Sequence, residues 1–434
     1  MAKRLSLFLS AVLAFSALTA CSSGNSSGTK TGDGDKGQSS NEKIDLVFWS
    51  LFSGGDGDFM QQMIDSFNKA NPNIQVKNVK LEWAEYYTKL MTGVASGNGP
   101  DIGVSHSSKL PELIKQGVVT ELDPVAKTEN LDWSSFNQNI LNSTIMNGKH
   151  YAVPIDTHPF IFFYNKKMLK QAGLLDGSGK PIMEQSAQGF VDFAVKLKSS
   201  LQNNQQMAFA FPSKGDDPFR LWWALYHQLG GKDVIADDLK TPSIDMEKAV
   251  KAANYIKDLY HKQQVIPLNL EDFTKVFQAG NAGFFMSGVW NTGTMEQTKD
   301  LEFGAMPIPK FFDKQATWGD SHTLILPTQK KADPKKQKAA LAFMNYIADN
   351  GQVWAKAGHI PSKTKVIEDP EFKKLPYRSD YVSVANTVAF AKQSAYNWPI
   401  KTVIIRNLDT IWNNSVPTEE AFKKMMEEVK TVIK

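Results

Sequence analysis

Gly288-Val289-Trp290-Asn291-Thr292-Gly293 sets a tryptophan at the end of an apolar run, beside a polar, turn-forming stretch. An indole so placed looks into a cleft rather than into a packed interior. Its flat face suits the C–H-rich side of a sugar ring. Trp222 and Trp223 are adjacent, and on a helix they point about 100° apart, so one packs inward and one faces a cleft. Short polar groups are the other half of sugar chemistry, because a buried hydroxyl left unpaired costs roughly 1–3 kcal/mol. Asp156, Thr157 and His158 supply such groups between two apolar segments, and Trp318, Asp320 and His322 form a second mixed set. His106, His158 and His322 raise the question of a metal, but they share no close spacing of the zinc-binding kind. Neither a metal nor a cofactor is therefore expected, and the histidines are read as hydrogen-bonding groups for an acidic or multiply hydroxylated sugar. Asp156 and Asp217 have the right chemistry for a glycoside hydrolase pair, but no motif supports that reading.

The elements that must hold these residues alternate in type. Ile44–Trp49, Ile74–Leu81 and Asp101–Ser105 read as buried strands, each followed by a helix. Tyr151–Ile155 and Phe160–Tyr164 read as two strands separated by a polar break. Such a break suits a chain leaving one sheet for another, or an ordinary hairpin. Asn165 then opens a helix that Gly173 stops. Met246–Lys262, Asp333–Asp349 and Thr418–Ile433 follow as amphipathic helices. The architecture is α/β with mostly parallel sheets flanked by helices. The polar loop from Ser53 to Asp58 lies between a strand and a helix, a natural place for a ligand. It is no dinucleotide fingerprint: Met60 stands at the third glycine position, and two aspartates would repel a pyrophosphate.

The 434 residues are 42% hydrophobic, enough for two domains of ordinary size. A net charge of +4 gives no case for nucleic acid. Lys3 and Arg4 precede a short apolar run ending in Leu18-Thr19-Ala20-Cys21, which carries the only cysteine. That run is too short to span a bilayer and reads as a signal peptide over residues 1–20. The tetrapeptide resembles a bacterial lipobox, in which the cysteine is acylated and becomes the mature N-terminus. Residues 22–43 hold no apolar side chain and read as a flexible tether.

Several stretches, in order, resemble the maltose-binding-protein-like family of solute-binding proteins that serve bacterial ABC sugar importers. They are Gly97-Asn98-Gly99-Pro100-Asp101; Tyr151-Ala152-Val153-Pro154 with Tyr164-Asn165-Lys166; and Phe277-Gln278-Ala279-Gly280-Asn281-Ala282-Gly283 with Gly288-Val289-Trp290. Phe303–Pro309 resembles the family's return crossing between lobes, and Gly358–Ser362 a later one. The resemblance implies a two-lobed, type II periplasmic-binding-protein fold joined by hinge crossings. Its N-terminal lobe would be residues 44–157 with 308–358, and its C-terminal lobe residues 158–307 with 359–434. It implies a monomer without enzymatic activity, lipid-anchored through Cys21 on the outer face of a Gram-positive-like cell membrane, delivering a sugar to an ABC permease. It also marks ligand contacts: Trp290 stacking, one of Asp156, Thr157 and His158, Asp217 and Phe219 in the second lobe, and Ser105, His106 and Lys109 in the first. Trp398 resembles a tryptophan ahead of the last helix. A tryptophan of maltose-binding protein is replaced by Ser105, which argues against simple transfer of maltose specificity. A polyol phosphate on the same fold would want a cluster of cations, for which Lys109 and Arg220 are the candidates.

Overall fold

The structure, a computed structural model, describes residues 43–52 and 55–433. The leader, Cys21, the tether and Ser53 lie outside them. In chain order the strands are β1 (Ile44–Ser50), β2 (Ile74–Lys80), β3 (Ile102–His106), and a small hairpin of β4 (Ile145–Met146) and β5 (Lys149–His150). Then come β6 (Ala152–Pro154), β7 (Asp156–Asn165), β8 (Met207–Phe209), β9 (Ala282–Gly288) and β10 (Phe303–Pro307). β11 (Thr317–Asp320), β12 (His322–Ile325), β13 (Ile360–Pro361) and β14 (Val388–Ala389) complete the set.

The first sheet has the order β2-β1-β3-β12-β6. Phe48, Val104, Leu324, Phe343 and Trp354 lie in its core. The second has the order β14-β11-β7-β9-β8, with β10 and β13 also paired to β7. Neither sheet is mostly parallel, contrary to the expectation from alternating strands and helices. β12 runs antiparallel to β3 and β6, and every partner of β7 runs antiparallel to it. The reason is that β7 and β12 arrive from the opposite sheet through one-residue crossings, not through a helical crossover.

β7 is the spine of the second sheet. Its residues are buried from end to end, with Phe160, Phe162 and Tyr164 in one core and Ile161 and Phe163 in another. A strand covered on both faces must read as a continuous apolar run, and Phe160–Tyr164 does so. Asp156–Pro159 does not, yet it continues the strand: Asp156 and Thr157 pair with β13, and His158 and Pro159 with β11. The break expected at Asp156–Pro159 is therefore absent, and the strands are interrupted only at Ile155, ahead of it.

A second crossing runs beside the first. Ser321 alone separates β11 from β12. Its hydroxyl donates to the Asp156 carbonyl at 2.5 Å, and the Ile155 amide donates to the His322 carbonyl at 2.9 Å. Phe303–Pro309, expected as the return crossing, is instead largely an edge strand: β10 lies along β7, while Ile308 and Phe311 enter the second core. Residues 308–320 thus pack with the second sheet and not the first. Gly358–Ser362 passes the same junction, with Ile360 and Pro361 paired to the start of β7.

Candidate functional site

A cavity of about 320 Å³ opens where the two sheets meet, lined by residues from both. Five tryptophans face it: Trp83, Trp223, Trp290, Trp318 and Trp398. The helix Asp216–Gln228 contributes Phe219, Arg220 and Trp223, which its 3.6-residue period puts on one side. Trp222 points away from the cavity. It is fully buried, donates from Nε1 to the Ala249 carbonyl at 3.1 Å, and stacks on Tyr226 at 5.3 Å. Of the adjacent pair, Trp223 is the cleft residue and Trp222 belongs to the core.

Trp290 and Trp318 meet edge to face at 6.5 Å. Between them sits the Arg220 guanidinium, 5.0 Å from the first ring centroid and 4.6 Å from the second. Asp217 is not in the lining. It is buried behind Arg220, accepting from its guanidinium at 2.5 Å and from the Ser287 hydroxyl at 3.1 Å. Its role is to position Arg220 between the two indoles. Burial raises the Asp217 carboxyl above the ordinary carboxylate range, and Arg220 offsets only part of that.

On the opposite wall Trp398 stacks on Trp83 at 6.0 Å, and Trp83 is 51% exposed at the rim. Lys109 does not reach the lining. Its ammonium is held by Glu112 at 2.6 Å and lies 4.8 Å from the Trp398 ring centroid. Ser105 is also withdrawn, because strand alternation turns it away from the face that His106 presents. Its hydroxyl donates to the His106 carbonyl, and it is fully buried.

The floor carries the polar groups. Asp320 accepts from the hydroxyls of Ser107 (2.7 Å) and Ser108 (2.5 Å), and from the Ser108 amide (3.1 Å). Trp398 in turn donates from Nε1 to the Ser108 hydroxyl at 3.0 Å. Thr157 is buried beneath, donating to the Asp320 carbonyl at 2.9 Å. His106, His158, His322 and His359 line the cavity, and Asp156 lies under them, fully buried. Asp156 accepts from Nδ1 of His158 (3.1 Å), Nδ1 of His322 (2.8 Å), the His322 amide (2.9 Å) and Nε1 of Trp354 (2.6 Å).

Burial alone would raise the Asp156 carboxyl, but His322, His359 and His158 outweigh it and hold it well below the usual range. Burial lowers His322, yet Asp156 more than restores it, to above its ordinary value. Burial and the charge of His322 push His158 down to about 4, and push His106 well below its ordinary value. Asp156 is thus ionised at pH 7, while His158 and His106 stay neutral.

Of the residues expected at a site, the fold brings His106, His158, Phe219, Trp223, Trp290, Trp318, Asp320 and Trp398 to one cavity. It sets Asp156, Thr157, Asp217, Ser105, Lys109 and Trp222 behind that lining. Trp83, Ser107, Ser108, Asp56, His359 and Lys401 also line it without having been expected. Two had a readable signal: Lys401 stands three residues after Trp398 on one helix, and His359 lies inside the crossing motif.

Two lobes joined by short crossings, with an aromatic cavity at their junction, define a cleft-type binding protein. The chain belongs to the family of bacterial extracellular solute-binding proteins, whose model matches residues 62–378. It is 22% identical over 363 residues to an arabinooligosaccharide-binding protein of Bacillus subtilis, covering 80% of each chain. It is 18% identical to a maltotriose-binding protein of Pyrococcus abyssi, over 76% of this chain and 69% of that one. The fold matches the GacH receptor of Streptomyces glaucescens, solved unliganded and with acarbose, at a TM-score of 0.76 and 20% identity, over 90% of this chain and 98% of that one. It matches UgpB of Mycobacterium tuberculosis, solved with glycerophosphocholine, at 0.76 and 19%, over 89% and 98%.

Proposed function

We propose that this protein captures a sugar or oligosaccharide in the cavity between its lobes and passes it to an ABC permease. The observation that carries the reading is the lining: five indoles on facing walls above a floor of buried histidines and carboxylates. Indole faces suit pyranose rings, and the floor supplies donors and acceptors for hydroxyls. The oligosaccharide-binding relatives support the same class of ligand. Closure follows from ligand bridging both lobes, which favours the closed form by its differential affinity. The lobes divide at Ile155, at Ser321 and within Gly358–Ser362. Cys21 is the anchor, carrying acyl chains that hold the protein at the outer face of the membrane. Among the described residues no helix is long and apolar enough to cross a membrane.

The test is calorimetric and thermal-shift titration against mono- and oligosaccharides, with glycerophosphodiesters in the same panel. A ligand at a hundred times its dissociation constant adds about 2.7 kcal/mol, a readily measured shift. Binding of a phosphodiester but of no sugar would move the reading to a polyol phosphate. Arg220 argues against that outcome, because Asp217 already occupies its guanidinium. Release of hydrolysis products from any sugar would instead make the protein an enzyme.

A further inference from the structure

The cavity floor holds a grouping that the sugar reading does not use in full. His359 is 1% exposed, and neither of its ring nitrogens has a hydrogen-bond partner. Asp156 Oδ2 is 3.6 Å from its Nδ1 and already receives Trp354 and His322. The four donors on Asp156 fill its capacity, so a proton on Nδ1 of His359 finds no free lone pair. A buried imidazole left without partners on both nitrogens is an incomplete arrangement. An electron-pair acceptor at Nδ1 would complete it.

We propose that Asp156, His158, His322 and His359 form a binding site for a divalent transition metal ion of the zinc type. One donor atom from each residue lies within 4.8 Å of those of the other three, and all four side chains are buried. Ligand atoms about 2.0–2.1 Å from a tetrahedral ion stand roughly 3.3 Å apart. Asp156 oxygens lie 3.1, 2.8 and 3.6 Å from the Nδ1 atoms of His158, His322 and His359, and side-chain adjustment draws the remaining pairs, now within 4.8 Å, onto the ion. Three nitrogens and one carboxylate select zinc-like ions over calcium or magnesium, which want oxygen.

The surroundings fit the same ion. With Nδ1 of His359 on the metal, its Nε2–H faces Asp56, whose carboxylate is 3.7 Å away; this is the carboxylate–histidine–metal arrangement. Trp354 lies flat on the His359 ring at 4.7 Å and fixes its plane. Each ligand comes from a segment that passes between the two sheets: Asp156 and His158 after Ile155, His322 after Ser321, and His359 before β13. The ion therefore pins all three passages at one point, and its role is structural.

The experiment uses the full-length protein purified without an affinity tag and stripped with chelator. Zn²⁺ and Co²⁺ are titrated by calorimetry, bound metal is counted by elemental analysis, and melting is followed with each ion. Expected are one Zn²⁺ per chain, tetrahedral Co²⁺ bands in the visible spectrum, and a rise in melting temperature that Ca²⁺ and Mg²⁺ do not give. His359→Ala and His322→Gln each weaken Zn²⁺ binding by at least about tenfold. Wild-type protein that takes up no ion, or that gives an octahedral Co²⁺ spectrum, overturns the proposal without recourse to a variant. Stoichiometric binding that survives both substitutions overturns it too, since the ion then sits elsewhere. Sugar titration of the stripped protein keeps this inference separate from the proposed function.

Discussion

Trp290 lies across Gly288, where a Cβ would fall 1.9 Å from the indole ring, so the absent side chain is what lets the ring settle there. Losing a core tryptophan costs about 3–5 kcal/mol, whereas losing a cleft tryptophan leaves the free protein nearly unchanged. Trp290→Ala should therefore melt close to wild type without ligand and lose most of its sugar affinity. Gly288→Ala should reproduce much of that loss by displacing the ring. A Trp290→Ala protein that melts far earlier yet binds normally would assign the indole to the core.

His227 makes a different prediction. It packs on Trp223 at 4.6 Å with Nε2 unpartnered, and burial lowers its pKa to about 4 from 6.5. The folded protein then binds fewer protons than the unfolded chain between those values. Stability from this group is complete above pH 6.5 and is lost as pH falls towards 4, by up to about 3 kcal/mol. His227→Phe should flatten that part of the acid limb in denaturant titrations at pH 7 and pH 4.5; an unchanged slope would place the proton uptake elsewhere. At this scale the sequence was informative about kind and poor about direction. Adjacency on a helix marks Trp222 and Trp223 as a divergent pair, but only the helix on which Ala249 sits decides which of them is buried.

Among the elements, β7 shows where periodicity stops helping. Phe160–Tyr164 announces a buried strand by its own composition. Asp156–Pro159 does not, because its strand character comes from backbone partners supplied by β11 and β13, which lie far along the chain. For the same reason the mixed sheets were not legible: strand direction follows from the crossings, and Ser321 has no local signal that marks it as one. The close packing at the third passage can be tested directly. Gly358 has φ +112°, and a Cβ there would meet the Val289 carbonyl oxygen at 2.0 Å. Neither the backbone nor that carbonyl can give way cheaply, so Gly358→Ala should cost roughly 2 kcal/mol or more in equilibrium unfolding. A neutral result would mean that the passage tolerates a different backbone path.

For the molecule as a whole, the proposed closure makes the single-residue passages at Ile155 and Ser321 the expected hinge points. Small-angle scattering should show a modest fall in radius of gyration when a bound sugar is present; an identical profile with ligand demonstrably bound would argue for a rigid pocket. The proposed lipid anchor is tested separately. Cys21→Ser should release the protein from the membrane fraction or leave its leader uncut, and unchanged retention of a cleaved chain would refute the lipidation.

The arrangement of β7 also has a consequence in time. Every strand that pairs with it (β9, β10, β11 and β13) is made well after it. At ribosomal rates of about 5–20 residues per second, an aromatic ten-residue segment waits seconds to tens of seconds for its first partner. Such a segment, apolar and uncharged over Phe160–Tyr164, has the composition of a self-associating strand while it is bare. A chain of this design cannot complete its centre as it emerges; its synthesis favours a route that keeps it extended and shielded until the last third has been made.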